Sequence, residues 1–164
     1  MVESTGKSLA IVYLLMKKIG ALGEELVCQW LELQNYDLLE RNWRCRWGEI
    51  DIIAQDRDSK AIAFVEVKTR SRNNWDEGGL LAIDFIKQEK IIKTASLFLA
   101  EYPQFVELPC RFDVALVSYE KILSRRRENA EIDSQEVRLT IGKPTAIAQY
   151  ELTIESYFKS AFEA

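Results

Sequence analysis

Apolar and polar positions along this chain repeat with two periods. Over residues 20–34, GALGEELVCQWLELQ, the apolar residues Leu22, Leu26, Val27, Trp30, Leu31 and Leu33 recur at intervals of mostly three and four, the spacing of one helix face. Glu24 and Glu25 stand in its early turns, where the helix dipole favours acids. Asn35 follows, a residue that tolerates the left-handed backbone of a helix end. Residues 36–47, YDLLERNWRCRW, predict a strand with an irregular second half. Residues 46–70 read RWGEIDIIAQDRDSKAIAFVEVKTR, two apolar runs around a polar tip, which predicts a β-hairpin. A helical period returns over residues 80–102, through Ile83, Ile86, Lys87, Lys90, Ile91, Thr94, Ala95, Phe98 and Leu99, until Pro103 stops it. Residues 111–119, RFDVALVSY, predict a strand, and 137–141, VRLTI, its pairing partner. The segment beyond Pro144, TAIAQYELTIESYFKSAF, is expected to hold one or two short helices.

The resulting order, α-β-β-β-α-β-β-α, predicts an α/β domain with a mixed central sheet flanked by helices. Repeats and clear linkers are absent, so residues 19–164 read as one domain. Residues 120–136 form a charged loop insertion. Residues 1–18 read as an N-terminal extension or the start of a helix. Their apolar run SLAIVYLLM is too short to span a bilayer. It is followed directly by Lys17 and Lys18, without the small-residue cleavage site of a signal peptide. Met16 is a second candidate start, which N-terminal sequencing of the native protein would decide.

Composition narrows the chemistry. With 164 residues, 48% hydrophobic and 29% charged, the chain suits one soluble domain with a substantial core. The net charge of −4 argues against broad electrostatic binding of nucleic acid and leaves room for a local basic patch. There is no histidine, which excludes His triads, His bases and His metal ligands. Cys28, Cys45 and Cys110 are odd in number and form no CxxC, so a zinc site or disulfide framework is not expected. A reduced, cytoplasmic chain is.

Charge inside the hairpin strands is the informative feature. Glu49 and Asp51 share one face of the first strand by alternation, and Glu66 and Lys68 one face of the second. Uncompensated charge in so apolar a setting is costly, so the cluster either forms ion pairs or holds a metal. Mg²⁺ and Mn²⁺ take oxygen ligands and use one or two carboxylates with waters and substrate phosphate. Asp51 and Glu66 on adjacent strands suit that need, and Glu24 is a third carboxylate if its helix crosses the sheet. Lys68 is placed to orient a water or neutralise a phosphate. Glu49 reads as the structural partner of a nearby Arg, and Asp113 as another ion-pair or turn-capping acid.

These residues carry a family resemblance. A helix Glu, a strand Asp and then Glu-x-Lys resemble the PD-(D/E)xK nucleases of the restriction-endonuclease-like fold. GALGEELV, LLERNWRCRWGEIDIIA, FVEVKTR, IDFIKQEKI and RFDVALV together resemble the YraN family, small bacterial proteins to which endonuclease activity is ascribed. The match covers about residues 20–117. Archaeal Holliday junction resolvases are similar in layout. The resemblance implies that Glu24, Asp51 and Glu66 are metal ligands, that the backbone carbonyl of Val67 is a further ligand, and that Lys68 is the catalytic lysine. Val27 and Asn35 stand where the family pattern has Ala and Gly, and the loop after Arg70 carries Trp75, Asp76 and Glu77.

The expected activity is metal-dependent hydrolysis of DNA phosphodiester bonds. Branched substrates are implied by the resolvase resemblance, as is a homodimer. No membrane partner is expected. Arg70, Lys87 and Gln88 are candidates to line a DNA groove. Arg44 and Arg46, with Arg41, interleave with Trp43 and Trp47, a pattern that suits phosphate contact and base stacking. Solvated arginines around an aromatic core account for the same pattern. The alternative function is a catalytically silent nucleic-acid-binding module of the same fold.

Overall fold

The first helix is longer than its amphipathic stripe. In the computed structural model α1 runs Ser4–Leu33, so residues 4–18 continue directly into the turn that carries Glu24. The structure describes residues 4–74, 83–122 and 139–164, with the backbone alone for residues 4–13 and 74. Asn35, at φ 67°, takes the left-handed conformation after the helix. The buried stripe of α1 is Leu26, Val27, Trp30 and Leu31, whereas Leu33 faces solvent at 58% exposure.

Three strands follow: β1 (Tyr36–Cys45), β2 (Gly48–Asp56) and β3 (Ile62–Ser71). The hairpin of β2 and β3 is antiparallel, as its sequence predicts. Helix α2 (Phe85–Glu101) is capped by Asp84, whose Oδ1 accepts the Lys87 backbone N–H at 2.8 Å. Its expected start at residues 80–82 lies outside the described residues. Ile86, expected on its buried stripe, is 64% exposed. Strand β4 (Cys110–Lys121) returns parallel to β3, the crossover geometry that a helix between parallel strands allows.

The C-terminal expectation is overturned. Residues 145–162 form β5 (Thr145–Ile147) and β6 (Tyr150–Phe162), not helices. The partner of β4 is β6, not residues 137–141. Residues 139–141 lie outside any strand, and 137–138 outside the described residues, as does most of the 120–136 insertion. The physical reason is the edge of β4. Its buried backbone needs a second ladder, and the alternating Tyr150, Leu152 and Ile154 supply one while burying their side chains.

The sheet is mixed, ordered β1-β2-β3-β4-β6-β5. On one face α1 packs Leu26, Val27 and Leu31 on Ile52, Val65, Val117 and Ile154. On the other, α2 packs Ile91, Ala95 and Phe98 on Ile53, Phe64, Phe112 and Val114. Strict alternation fails in early β2: Ile50 and Ile53 both join the α2 side. Glu49 is half-exposed and Asp51 buried, and both lie within the field of Glu24 on α1.

Candidate active site

The β2–β3 ladder runs from Gln55↔Ile62 to Ile52↔Val65 and ends there. At the next step the Asp51 side chain takes over: its Oδ2 accepts the Val67 backbone N–H at 2.7 Å. A buried N–H must find an acceptor, so the carboxylate both closes the ladder and is fixed by it. No further β2–β3 pair follows this point, and charges from both helical layers act on Asp51. Glu24 reaches in from α1 and Lys87 from α2.

Two local features place Glu24. Gly23 lies so close to β3 that a Cβ there would sit 2.0 Å from Thr69 Oγ1, so the missing side chain lets α1 close onto the strand. On β1, Asn42 adopts φ 50° and its Nδ2 donates to Glu24 Oε2 at 3.0 Å. Asn is one of the few side-chain-bearing residues that take this conformation readily.

Glu66 is buried at 5% exposure. Its Oε1 accepts from Lys68 Nζ at 2.8 Å and pairs with Lys87 Nζ at 3.1 Å. Its Oε2 is buried and has no hydrogen-bond partner among the described residues. Burial, reinforced by the negative charges of Glu66 and Glu24, pushes the Asp51 carboxyl up to about 7, against the opposing pull of the Val67 N–H and Lys87. Burial likewise raises the Glu24 carboxyl, partly offset by the Asn42 hydrogen bond.

An orphaned buried carboxylate oxygen beside a second buried carboxyl that resists ionisation is a setting a cation would relieve. The donors are hard oxygens, the set that suits Mg²⁺ or Mn²⁺. Asp51 and Glu66 are the two carboxylates best placed to hold such an ion, with Glu24 beside them. Among the described residues no three Asp, Glu or Cys side chains form a ready-made cage. A site of this kind would draw its remaining ligands from water and substrate.

The basic residues distribute differently from the sequence expectation. Lys87 joins the site through Glu66. Gln88 turns its amide to the Ile83 carbonyl at 3.0 Å and closes the helix start. Arg44 pairs with Glu49 at 2.9 Å, both half-exposed or more. Arg70 lines a separate cavity of about 320 Å³ with Met16, Ile19, Thr69, Ser71 and Tyr119. Trp43 is partly buried against the core, edge-on to Phe98 at 5.5 Å. Arg46 lies over exposed Trp47 at 5.2 Å. Trp75, Asp76 and Glu77 lie outside the described residues.

Asp113 is structural, as expected: fully buried, it accepts from Arg111 Nε, the Tyr157 hydroxyl and the Ser160 N–H. Sequence reasoning missed Asn42, Gly23 and Lys93. Lys93 of α2 stands 5.4 Å from the Trp47 ring. Asn42 was the detectable one, an Asn in mid-strand that signals left-handed backbone.

The fold and site define an α/β protein with a mixed sheet and an Asp, Glu and Lys cluster where the β2–β3 ladder ends. Residues 23–117 match the family described as "Uncharacterised protein family UPF0102", and the chain belongs to the UPF0102 family. It is similar to a UPF0102 protein of Trichodesmium erythraeum (strain IMS101), 46% identical over 157 residues and covering 87% of both chains. A UPF0102 protein of Synechocystis sp. (strain ATCC 27184 / PCC 6803 / Kazusa) is 44% identical, over 90% of this chain and 99% of its own. One from Acaryochloris marina (strain MBIC 11017) is 44% identical over 88% and 90%.

Proposed function

We propose that the chain is a divalent-metal-dependent endonuclease that hydrolyses phosphodiester bonds in DNA, of the PD-(D/E)xK type and with a restriction-endonuclease-like fold. The observation that carries the reading is the pairing of buried Asp51 with Glu66, whose Oε2 is orphaned, under two lysines. The resemblance to the YraN family supports it.

Asp51 and Glu66 would hold the Mg²⁺ or Mn²⁺, with Glu24 and the Val67 carbonyl as further oxygens. The bound cation supplies Lewis-acid stabilisation of phosphate charge and a more acidic water. The Val67 N–H holds the Asp51 carboxylate in one orientation. Lys68, paired with Glu66 here, would be freed to orient the attacking water, and Lys87, on the same oxygen, would be freed for a phosphate. Three free cysteines fit a reducing cytoplasm. No helix among the described residues is long and apolar enough to cross a membrane. Branched DNA and a homodimer follow from the resolvase resemblance.

One observation favours a second reading, a nucleic-acid-binding module without catalysis. Lys68 and Lys87 already neutralise Glu66, which is how a purely structural cluster would close. Labelled branched, flapped and single-stranded DNA, incubated with Mg²⁺ or Mn²⁺, separates the two. The nuclease reading expects cleavage that Lys68→Ala and Asp51→Asn abolish. Salt-sensitive binding without cleavage would establish the second.

A further inference from the structure

The turn between β1 and β2 presents an aromatic ring that the site does not use. Trp47 is 42% exposed, in contrast to Trp43. Two cations from different elements approach its ring, Arg46 at 5.2 Å and Lys93 at 5.4 Å. Arg46 and Lys93 are both exposed, so neither contributes to a buried core.

Both cations lie over the ring on exposed side chains, so each can swing off to a phosphate and leave a face of the ring to a ligand selected by chemistry. The cations repel a cationic ligand and attract an anionic one. The ring favours a planar partner. A nucleotide has both properties. Bases within a duplex are already stacked on one another and offer no free face, so the ligand is an unpaired base.

The platform lies within reach of the candidate active site by two independent paths. Along β2, Gly48 and Asp51 are three residues apart, roughly 10 Å at strand rise. Along α2, Lys87 at Glu66 and Lys93 at Trp47 are six residues apart, roughly 9 Å at helix rise. Lys87, Lys90 and Lys93 form one i, i+3 row between them. That span matches about three stacked nucleotides at 3.4 Å each, and fewer in an unstacked strand.

We propose that Trp47 is the stacking platform for an unpaired base of a DNA strand whose phosphate lies at Asp51, Glu66 and Lys68, with Arg46 and Lys93 on the flanking phosphates. The substrate is therefore DNA with a single-stranded or extrahelical nucleotide beside the cleaved bond. The position of that phosphate rests on the nuclease reading; the stacking itself does not.

The test uses 5′-fluorescein oligothymidylate and a matched series with one abasic position moved along it. Fluorescence anisotropy in Ca²⁺ reads binding, and Mn²⁺ on the same strands reads cleavage. Trp47→Ala should weaken binding roughly 5- to 100-fold, the range for loss of one stacked base, and Trp47→Phe should restore most of it. One abasic position should cost the wild type a similar factor and cost Trp47→Ala nothing further. Lys93→Ala should lower the salt slope by about one. Cleavage indifferent to Trp47→Ala and to every abasic position would overturn the inference and leave the nuclease reading intact. Trp47-dependent, base-dependent binding without cleavage would sustain the inference and remove the nuclease reading. Absence of binding to all strands would overturn the inference and leave the nuclease reading to stand or fall on branched DNA.

Discussion

Asp51 Oδ2 accepts the Val67 backbone N–H at 2.7 Å, at the point where the β2–β3 ladder has ended. An acid thus performs a backbone role while remaining buried beside Glu66 and within the field of Glu24. The end of the ladder, the charge cluster and the charges of both helices meet at this contact.

The raised Asp51 carboxyl sets a pH dependence. Its value of about 7 in the folded chain lies above the ordinary 3.8, so folding favours the protonated form. The corresponding stability is fully present below about pH 4 and is lost as pH rises through about 7. In metal-free buffer, Asp51→Asn should therefore gain stability relative to the wild type between pH 5 and pH 8, by on the order of a few kcal/mol. Thermal melts at both values measure it. An unchanged difference would show that Asp51 is not held against ionisation.

Lys87 competes for the same oxygen a cation would take. Lys87→Ala should tighten Mn²⁺ binding, read by titration calorimetry, roughly tenfold for each 1.4 kcal/mol released. The same variant should slow DNA cleavage. Weaker Mn²⁺ binding in Lys87→Ala would show that Lys87 does not oppose the cation.

Gly23 is required by proximity. Gly23→Ala would put a methyl 2.0 Å from Thr69 Oγ1, forcing α1 off β3 or Thr69 out of its rotamer. Overpacking of this kind costs about 1–3 kcal/mol, measurable by urea unfolding. Gly23→Ala combined with Thr69→Ala should recover part of the loss, since Thr69 Cβ would still stand 3.2 Å away. A neutral Gly23→Ala would remove the account of how Glu24 is positioned.

Asp113 tests the division between structural and site acids. Its ion pair with Arg111 is buried, at 0% and 13% side-chain exposure. Asp113→Ala leaves Arg111 only the longer Asp56 pair at 3.4 Å and removes the acceptor of the Tyr157 hydroxyl and the Ser160 N–H, which should cost about 3–5 kcal/mol. Wild-type Mn²⁺ affinity should persist below the variant's melting temperature. Loss of Mn²⁺ binding in a folded Asp113→Ala protein would place that acid in the site.

Local pattern revealed Asp51, Glu66 and Lys68, because charge in an apolar strand stands out without any knowledge of neighbours. Glu24 was visible as a helix acid, but its reach depends on Gly23 and Asn42, two contacts fixed only by packing. The C-terminal strands were hidden for a different reason. Tyr150, Ile154 and Phe158 fit a helical four-residue period as well as a strand period of two, and only the unmet edge of β4 decides between them. The β5–β6 turn adds no signal, since Ala148 and not Gly or Asn takes φ 55°. Lys93 escaped notice because its meeting with Trp47 joins a helix to a distant turn.

The central claim, a divalent cation held between Asp51 and Glu66, is tested most directly by anomalous diffraction from crystals soaked in Mn²⁺. The expected result is an anomalous peak within bonding distance of both carboxylates, with Glu66 Oε2 as a ligand and Lys87 displaced from Oε1. An unchanged Lys68–Glu66–Lys87 ion-pair cluster with no peak at saturating Mn²⁺ would contradict it.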